Sequence, residues 1–241
     1  MVRILSVEDI KRIVAKEGLQ AILQQLLDQQ LADFKRWNDF SKSSRHATHG
    51  HNGVIELMPI HDRKYYALKY ASDHQDNPSK NQFTVIAQGI LSDIETGAPL
   101  LISEMSLLTA LRTGALSALA SQLLANPNPT IMALIGTGAQ AEFQILAHHL
   151  LLGINRFQCF DTDPEALEKC CNNLQNYEID IIPCKSITQA LDQANIITTM
   201  TSTNQKHILF DVEQVHAGVH INALGADTIG KTELDPHLLT L

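Results

Sequence analysis

Basic residues are in short supply in this sequence: 18 lysines and arginines against 26 acidic residues leave a formal charge of -8 over 241 residues. The acids are scattered along the chain, which argues against nucleic acid or an anionic membrane as the main partner. No apolar run is read as reaching the length of a membrane-spanning segment. The N-terminal stretch MVRILSVEDIKRIV carries charges inside its apolar pattern and lacks the shape of a cleavable signal. Cysteine is sparse and unpatterned. Cys159, Cys170, Cys171 and Cys184 form no CxxC and no disulfide framework, so they are expected to be reduced thiols of a cytoplasmic protein. Internal repeats and low-complexity tracts are missing as well. What remains is a chain that is 44% hydrophobic, enough to bury a core in one large domain or two modest ones.

The hydrophobic period changes along the chain. Ser6 followed by Asp9 resembles a helix capping box, and Ile10, Ile13 and Val14 then recur at helical spacing. Gly18 interrupts, and a second helix is expected to run to about Trp37. Residues 38 to 53 are polar and read as a loop. GVIELMPI, YYALKYA, FTVIAQGILSD and PLLIS are strand-like, with hairpin connections at HDR and IETGA. This predicts an antiparallel sheet. A helix over residues 104 to 126 carries Ala110, Gly114, Ser117, Ala118 and Ser121 on one side, a stripe that lets another backbone approach closely. Asn126 to Pro129 ends it and marks the expected domain boundary. From Thr130 strands and helices alternate, which predicts a doubly wound parallel sheet. The expected fold class is therefore α/β: an α+β domain with an antiparallel sheet over residues 1–128, and a Rossmann domain over 129–241.

The chemistry is concentrated in LIGTGAQAEFQ (residues 134–144), a GxGxxA turn that follows a strand and opens a helix. Gly136 makes the tight turn, Gly138 lets backbone approach a pyrophosphate, and Ala141 lets the helix pack near the strand. Asp161 ends the next strand. A carboxylate there accepts from ribose hydroxyls and repels a 2′-phosphate, which favours NAD over NADP; it is also a candidate helix cap, although Asp163 is better placed for that. Lys69 sits in an otherwise uncharged strand and Arg112 in a helix of Leu and Ala. Either one alone reads as a side chain reaching for solvent. Together, near a nucleotide site, they suggest an anion site suited to a substrate carboxylate, with Arg45 a candidate third member. His46, His49 and His51 lack the spacing and fourth ligand of a metal site, and no metal is expected. His148 and His149 read as structural. Asp227, just beyond a buried strand, is a candidate general base or equally a turn residue.

ELMPI, TALRTGALSALA, LIGTGAQAEFQ and HINALGADTIGKTELDP together resemble the ornithine cyclodeaminase and mu-crystallin family, from about Ser6 to the last residue. SSRHATHGHNGVIELMP and ILSDIETG look most like its bacterial ornithine cyclodeaminase branch. The resemblance implies a substrate-binding and dimerisation domain joined to a Rossmann domain, a homodimer, and NAD that is used and regenerated in each turnover. It implies conversion of L-ornithine to L-proline and ammonia. By the same carry-over Arg45, Lys69 and Arg112 would hold the α-carboxylate, Glu56 would face the substrate's amino end, and Asp227 would be the acid/base. Thr84, Arg112, Ala139, Gln140, Asp161, Thr201, Asn222, Ala223, Leu224 and Lys231 would line the cofactor beside Gly136 and Gly138. Alternatives within the resemblance are an amino-acid dehydrogenase, an imine reductase, or a non-catalytic NAD-binding protein. Family chains are longer, so this one is expected to lack a C-terminal part that supplies a further Rossmann strand and a segment returning to the first domain.

Overall fold

The computed structural model describes residues 1–240 other than 52, 75, 203–205 and 227–229. The chain forms two compact units, residues 1–112 and 113–241. Unit 1 contains β1 (Arg3–Leu5), α1 (Val7–Glu17), α2 (Leu19–Lys35), β2 (Ser41–Lys42), β3 (His46–Gly50), β4 (Gly53–His61), β5 (Tyr65–Asp73), β6 (Val85–Asp93), β7 (Pro99–Glu104) and the start of α3 (Ser106–Leu124). The capping box is formed: Ser6 Oγ accepts from Asp9 N, and Asp9 accepts from Ser6 N at 2.9 Å. Gly18, at φ 86, closes α1 and opens α2, a backbone state that favours glycine.

The seven-stranded sheet runs β1-β7-β6-β5-β4-β2, with β3 also paired to β4. It is mixed and not purely antiparallel, because Arg3–Leu5 pairs in parallel with Leu101–Ser103. The segment expected to be a loop over 38 to 53 contains β2 and β3. All five residues of β3 are exposed, so no apolar alternation marks it; its backbone is satisfied by pairing with β4. The HDR turn is held by Asp62, which accepts from the backbone of Lys64 and Tyr65, and the IETGA turn by Asp93, which accepts from Thr96.

Unit 2 contains the rest of α3, then β8 (Ile131–Ile135), α4 (Ala141–Leu152), β9 (Arg156–Phe160), α5 (Pro164–Leu174), β10 (Asp180–Pro183), α6 (Ile187–Leu191), β11 (Ile196–Thr199), β12 (Lys206–Phe210), β13 (His220–Ala223) and β14 (Thr232–Leu234). Five parallel strands pair in the order β10-β9-β8-β11-β13, and β12 pairs with β14 in a separate ribbon. β8 is central and its Met132, Ala133, Leu134 and Ile135 are fully buried, as a strand covered on both faces requires. Strand order reverses at β8, which places the crevice of an open α/β sheet at its carboxyl end, where the glycines sit.

The division between units falls inside α3, after Arg112, and not at the Asn–Pro run that follows the helix. Packing explains the difference: a Cβ on Gly114 would lie 2.7 Å from the Phe143 carbonyl of α4, so the second half of α3 is seated against α4. Ser121 and His148 extend that contact through a 2.9 Å hydrogen bond. α3 also corrects the reading of apolar runs. Its 19 residues are long and apolar enough to cross a membrane, but half of that stretch is buried in the protein and Arg112 interrupts it.

Candidate active site

One group of candidate residues lies on one face of the unit 1 sheet. Side chains alternate along a strand, and register decides which of them meet. Glu56 and Met58 share a face of β4; Met58 lies opposite Lys69 of β5, and Lys69 opposite Gly89 of β6. Arg45 precedes β3, whose Ala47 pairs with Glu56. The result is a salt bridge: Arg45 Nη1 donates to both carboxylate oxygens of Glu56, at 3.0 and 3.2 Å. Burial pushes the Lys69 ammonium down to about 8, and the positive charges of Arg112 and Arg45 add to the effect while Glu56 opposes it. Desolvation and then Arg45 also press the Arg112 pKa down, although as a guanidinium it stays charged. Arg45, Glu56, Lys69 and Arg112 therefore act on one another as one cluster, with three cations and one carboxylate. An excess of positive charge in partly desolvated surroundings suits an anion.

A pH dependence follows. In the ligand-free protein Lys69 loses its charge as pH rises through about 8. A bound carboxylate favours the ammonium, so binding above that pH requires proton uptake. The affinity for a simple carboxylate such as pentanoate is expected to fall by up to about tenfold per pH unit above pH 8 and to be flat below it. Lys69→Met should bind weakly and without this slope. Calorimetric titration across pH 6 to 10 checks both.

A second group of candidate residues lies in unit 2. Gly136 adopts φ 100, and a Cβ there would meet the Met200 carbonyl at 2.9 Å; its N–H donates to Phe160 O at 2.9 Å. At Gly138 a Cβ would meet nothing within 4 Å, so the turn opens onto free space. Ala139 is exposed, Gln140 is the residue before α4, and no side chain caps that helix. These features fit the phosphates of a dinucleotide, which need close backbone, open volume and a helix N-terminus together. Asp161, the candidate ribose ligand, also makes contacts within the protein. Its Oδ2 accepts from Thr137 N at 2.5 Å and Thr137 Oγ1 at 3.0 Å, and its Oδ1 accepts from Asp163 N at 2.9 Å. It thus ties the glycine turn to the end of β9; both lone pairs of Oδ2 are used, and Oδ1 keeps one that a ribose hydroxyl could use. Asp163 takes the role of helix cap, accepting from Glu165 N.

The Asn222 side chain is drawn into the protein. It points inward: Nδ2 donates to Ser121 Oγ at 2.9 Å and Oδ1 pairs with His220 Nε2 at 3.0 Å. Ser121 in turn meets His148 Nε2, and His148 Nδ1 meets Gln144 O at 2.8 Å. Full burial pushes His148 down to about 4, so it is neutral and structural, and Ser121 donates to its free nitrogen. Only the Asn222 backbone is left for a ligand. Ala223 is exposed and Leu224 is held by its N–H to Thr199 O at 2.8 Å. Thr84 lies in unit 1 just before β6, and Lys231 just before β14. Asp227 lies outside the described residues. No set of three or more His, Cys, Asp or Glu suited to a metal ion occurs among the described residues.

The sequence reading missed Glu233. It is 1% exposed and accepts hydrogen bonds from Thr199 Oγ1, Thr201 N, Thr201 Oγ1 and Gly225 N. The available signal was a lone acid in the short strand TEL.

Residues 6–240 match the model of the ornithine cyclodeaminase/mu-crystallin family. The chain belongs to this family. It is 44% identical over 239 residues to the ornithine cyclodeaminase of Agrobacterium tumefaciens strain Ach5, covering 99% of this chain and 67% of that protein. A lysine cyclodeaminase, solved to explain its recognition of L-lysine, L-ornithine and L-2,4-diaminobutyric acid, superposes with a TM-score of 0.90 at 32% identity, covering 99% of this chain and 72% of that one. An archaeal alanine dehydrogenase dimer with bound NAD superposes with a TM-score of 0.83 at 27% identity, again covering 99% and 72%. The fold is thus that of this family, a Rossmann sheet plus a second β-rich domain.

Proposed function

We propose that this chain is an NAD-dependent ornithine cyclodeaminase that converts L-ornithine to L-proline and ammonia. One observation carries the reading: the cluster of Arg45, Lys69 and Arg112 with Glu56 matches a diamino acid. The cations suit an α-carboxylate, and the single carboxylate suits the distal ammonium.

NAD is the cofactor that the solved relatives support, and when bound it supplies the hydride acceptor and donor. The chain's own residues do the rest. Gly136, Gly138, Ala139 and Gln140 cradle the phosphates, and Asp161 orients a ribose. Thr84, Arg112, Thr201, Ala223, Leu224, Lys231 and the Asn222 backbone complete the cofactor's surroundings. Lys69 and Arg112 fix the carboxylate and so orient Cα, which is catalysis by positioning. Arg45 leaves Glu56 for the carboxylate as substrate enters, and Glu56 takes the δ-ammonium. Asp227 moves protons at the substrate nitrogens as the δ-amine closes on Cα and ammonia leaves. Substrates that differ by one methylene are separated by only about 1–3 kcal/mol, so L-lysine and 2,4-diaminobutyrate are slower substrates rather than excluded ones.

The chain works as a homodimer in the cytosol. Ile4, Ile55, Leu57, Ile86 and Ile90 are exposed on the sheet face opposite Lys69, an apolar surface that suits a second copy. The four cysteines are free, as a reducing compartment requires. Incubation with L-ornithine and NAD⁺ tests the function: proline and ammonia form without net NADH. Lasting NADH favours a dehydrogenase, the activity of the archaeal relative. NADH binding without any turnover leaves a binding protein.

A further inference from the structure

Glu233 is spent on no surface, and its four donors come from two separate stretches of chain. Thr199 Oγ1 donates to Oε2 at 2.7 Å from the end of β11, and Gly225 N to Oε2 at 3.0 Å from the loop after β13. Thr201 N and Oγ1 donate to Oε1 at 2.6 and 2.5 Å. The contact leaves no spare room: a Cβ on Gly225 would overlap the carboxylate. Thr201 also borders the glycine turn, since a Cβ on Gly136 would come within 3.2 Å of its nitrogen. One buried carboxylate from the β12–β14 ribbon therefore fixes both loop stretches that follow β11 and β13, beside the turn that faces the dinucleotide.

We infer that Glu233 is a positioning residue for the cofactor: it holds Thr201 and Gly225 at the mouth of the parallel sheet and turns the Thr201 hydroxyl so that it can only accept from a ligand. This rests on the NAD reading of the same site. The hydroxyl proton of Thr201 is committed to Oε1, so the lone pairs facing outward suit a donor such as a carboxamide N–H or a ribose O–H. The chemistry also requires an acid and not its amide. Each carboxylate oxygen receives one backbone N–H, which cannot accept. Glutamine in either orientation would turn its NH₂ against one of them.

The full chain and its Glu233→Gln variant decide the matter, through hydrogen exchange, NADH fluorescence titration and steady-state kinetics. Leaving one buried donor unpaired should accelerate exchange at the Thr201 and Gly225 amides by more than about tenfold and weaken NADH binding by about tenfold. The KM for NAD⁺ should rise while the KM for L-ornithine, set by the unit 1 cluster, stays put. Thr201→Val should show the same loss without adding to it in the double variant, and Thr201→Ser should restore binding. A purely structural role would lower the active fraction and kcat and leave both KM values unchanged; that result overturns the inference. Should Glu233→Gln not fold, Gly225→Ala displaces the carboxylate from the other side of the contact, and wild-type NADH affinity in that variant overturns it equally. If the unaltered chain binds no NADH, the cofactor reading fails by itself; the exchange rates then decide whether Glu233 holds the two loops, with unchanged rates overturning that as well.

Discussion

Asp227→Ala binds NADH with the affinity of the unaltered chain and forms no measurable proline. Removing a group that moves protons at the reacting nitrogens costs about 10²–10⁴ in rate. The proposed cofactor cradle is made of other residues, chiefly the glycine turn and Asp161, so its affinity is expected to stay within about twofold, below the tenfold that 1.4 kcal/mol would produce. Rapid-quench assays for proline, run beside an NADH titration, separate the two quantities. Turnover at the normal rate would remove Asp227 from the mechanism, and loss of NADH binding would recast it as a cofactor ligand.

Gly138→Val should do the reverse, abolishing cofactor binding while the fold survives. The added Cβ meets no atom within 4 Å, and the position needs no left-handed backbone, so folding has little to lose. The space it fills is the space the phosphates need. NADH affinity is expected to drop by more than about 100-fold, close to 2.7 kcal/mol, with a melting temperature near that of the unaltered chain. Gly136 provides the contrast. Its φ of 100, and the Met200 carbonyl 2.9 Å from where a Cβ would stand, make any side chain strained. Gly136→Ala should therefore lose binding and also about 1–3 kcal/mol of stability. Thermal melts beside the titrations distinguish the two glycines. A Gly138→Val protein that still binds NADH normally would place the nucleotide elsewhere.

The tight turn at Gly136 was legible in the sequence because its work is local. A left-handed turn hard against another backbone demands the absence of a side chain, and that demand is written at the position itself. The same holds for Ser6, Asp9 and Asp163, whose partners lie two or three residues away. The buried apolar run of β8 announced a central parallel strand for a similar reason. Pairing between distant segments was not legible. Lys69 and Arg112 stood out as misplaced charges, but the Arg45–Glu56 bridge depends on β3, an exposed polar strand with no alternation to betray it. The inward turn of the Asn222 amide was not legible either, since Ser121 and His148, to which it is linked, sit on helices far off in the chain. Glu233 went unread because its partners are 8, 32 and 34 residues away. The stripe of small residues on α3 predicted close backbone approach, which Gly114 and Phe143 realise, yet it gave no hint that the two units would part company within that helix.

The central claim is that a hydride leaves the substrate and returns to it within one turnover. Incubating the chain with L-ornithine deuterated at Cα and a small amount of unlabelled NAD⁺ tests this most directly. The account predicts proline that retains deuterium at Cα, an equal amount of ammonia, and no lasting NADH. Deuterated NADH accumulating in step with a keto acid, or proline that has lost its deuterium, would contradict it.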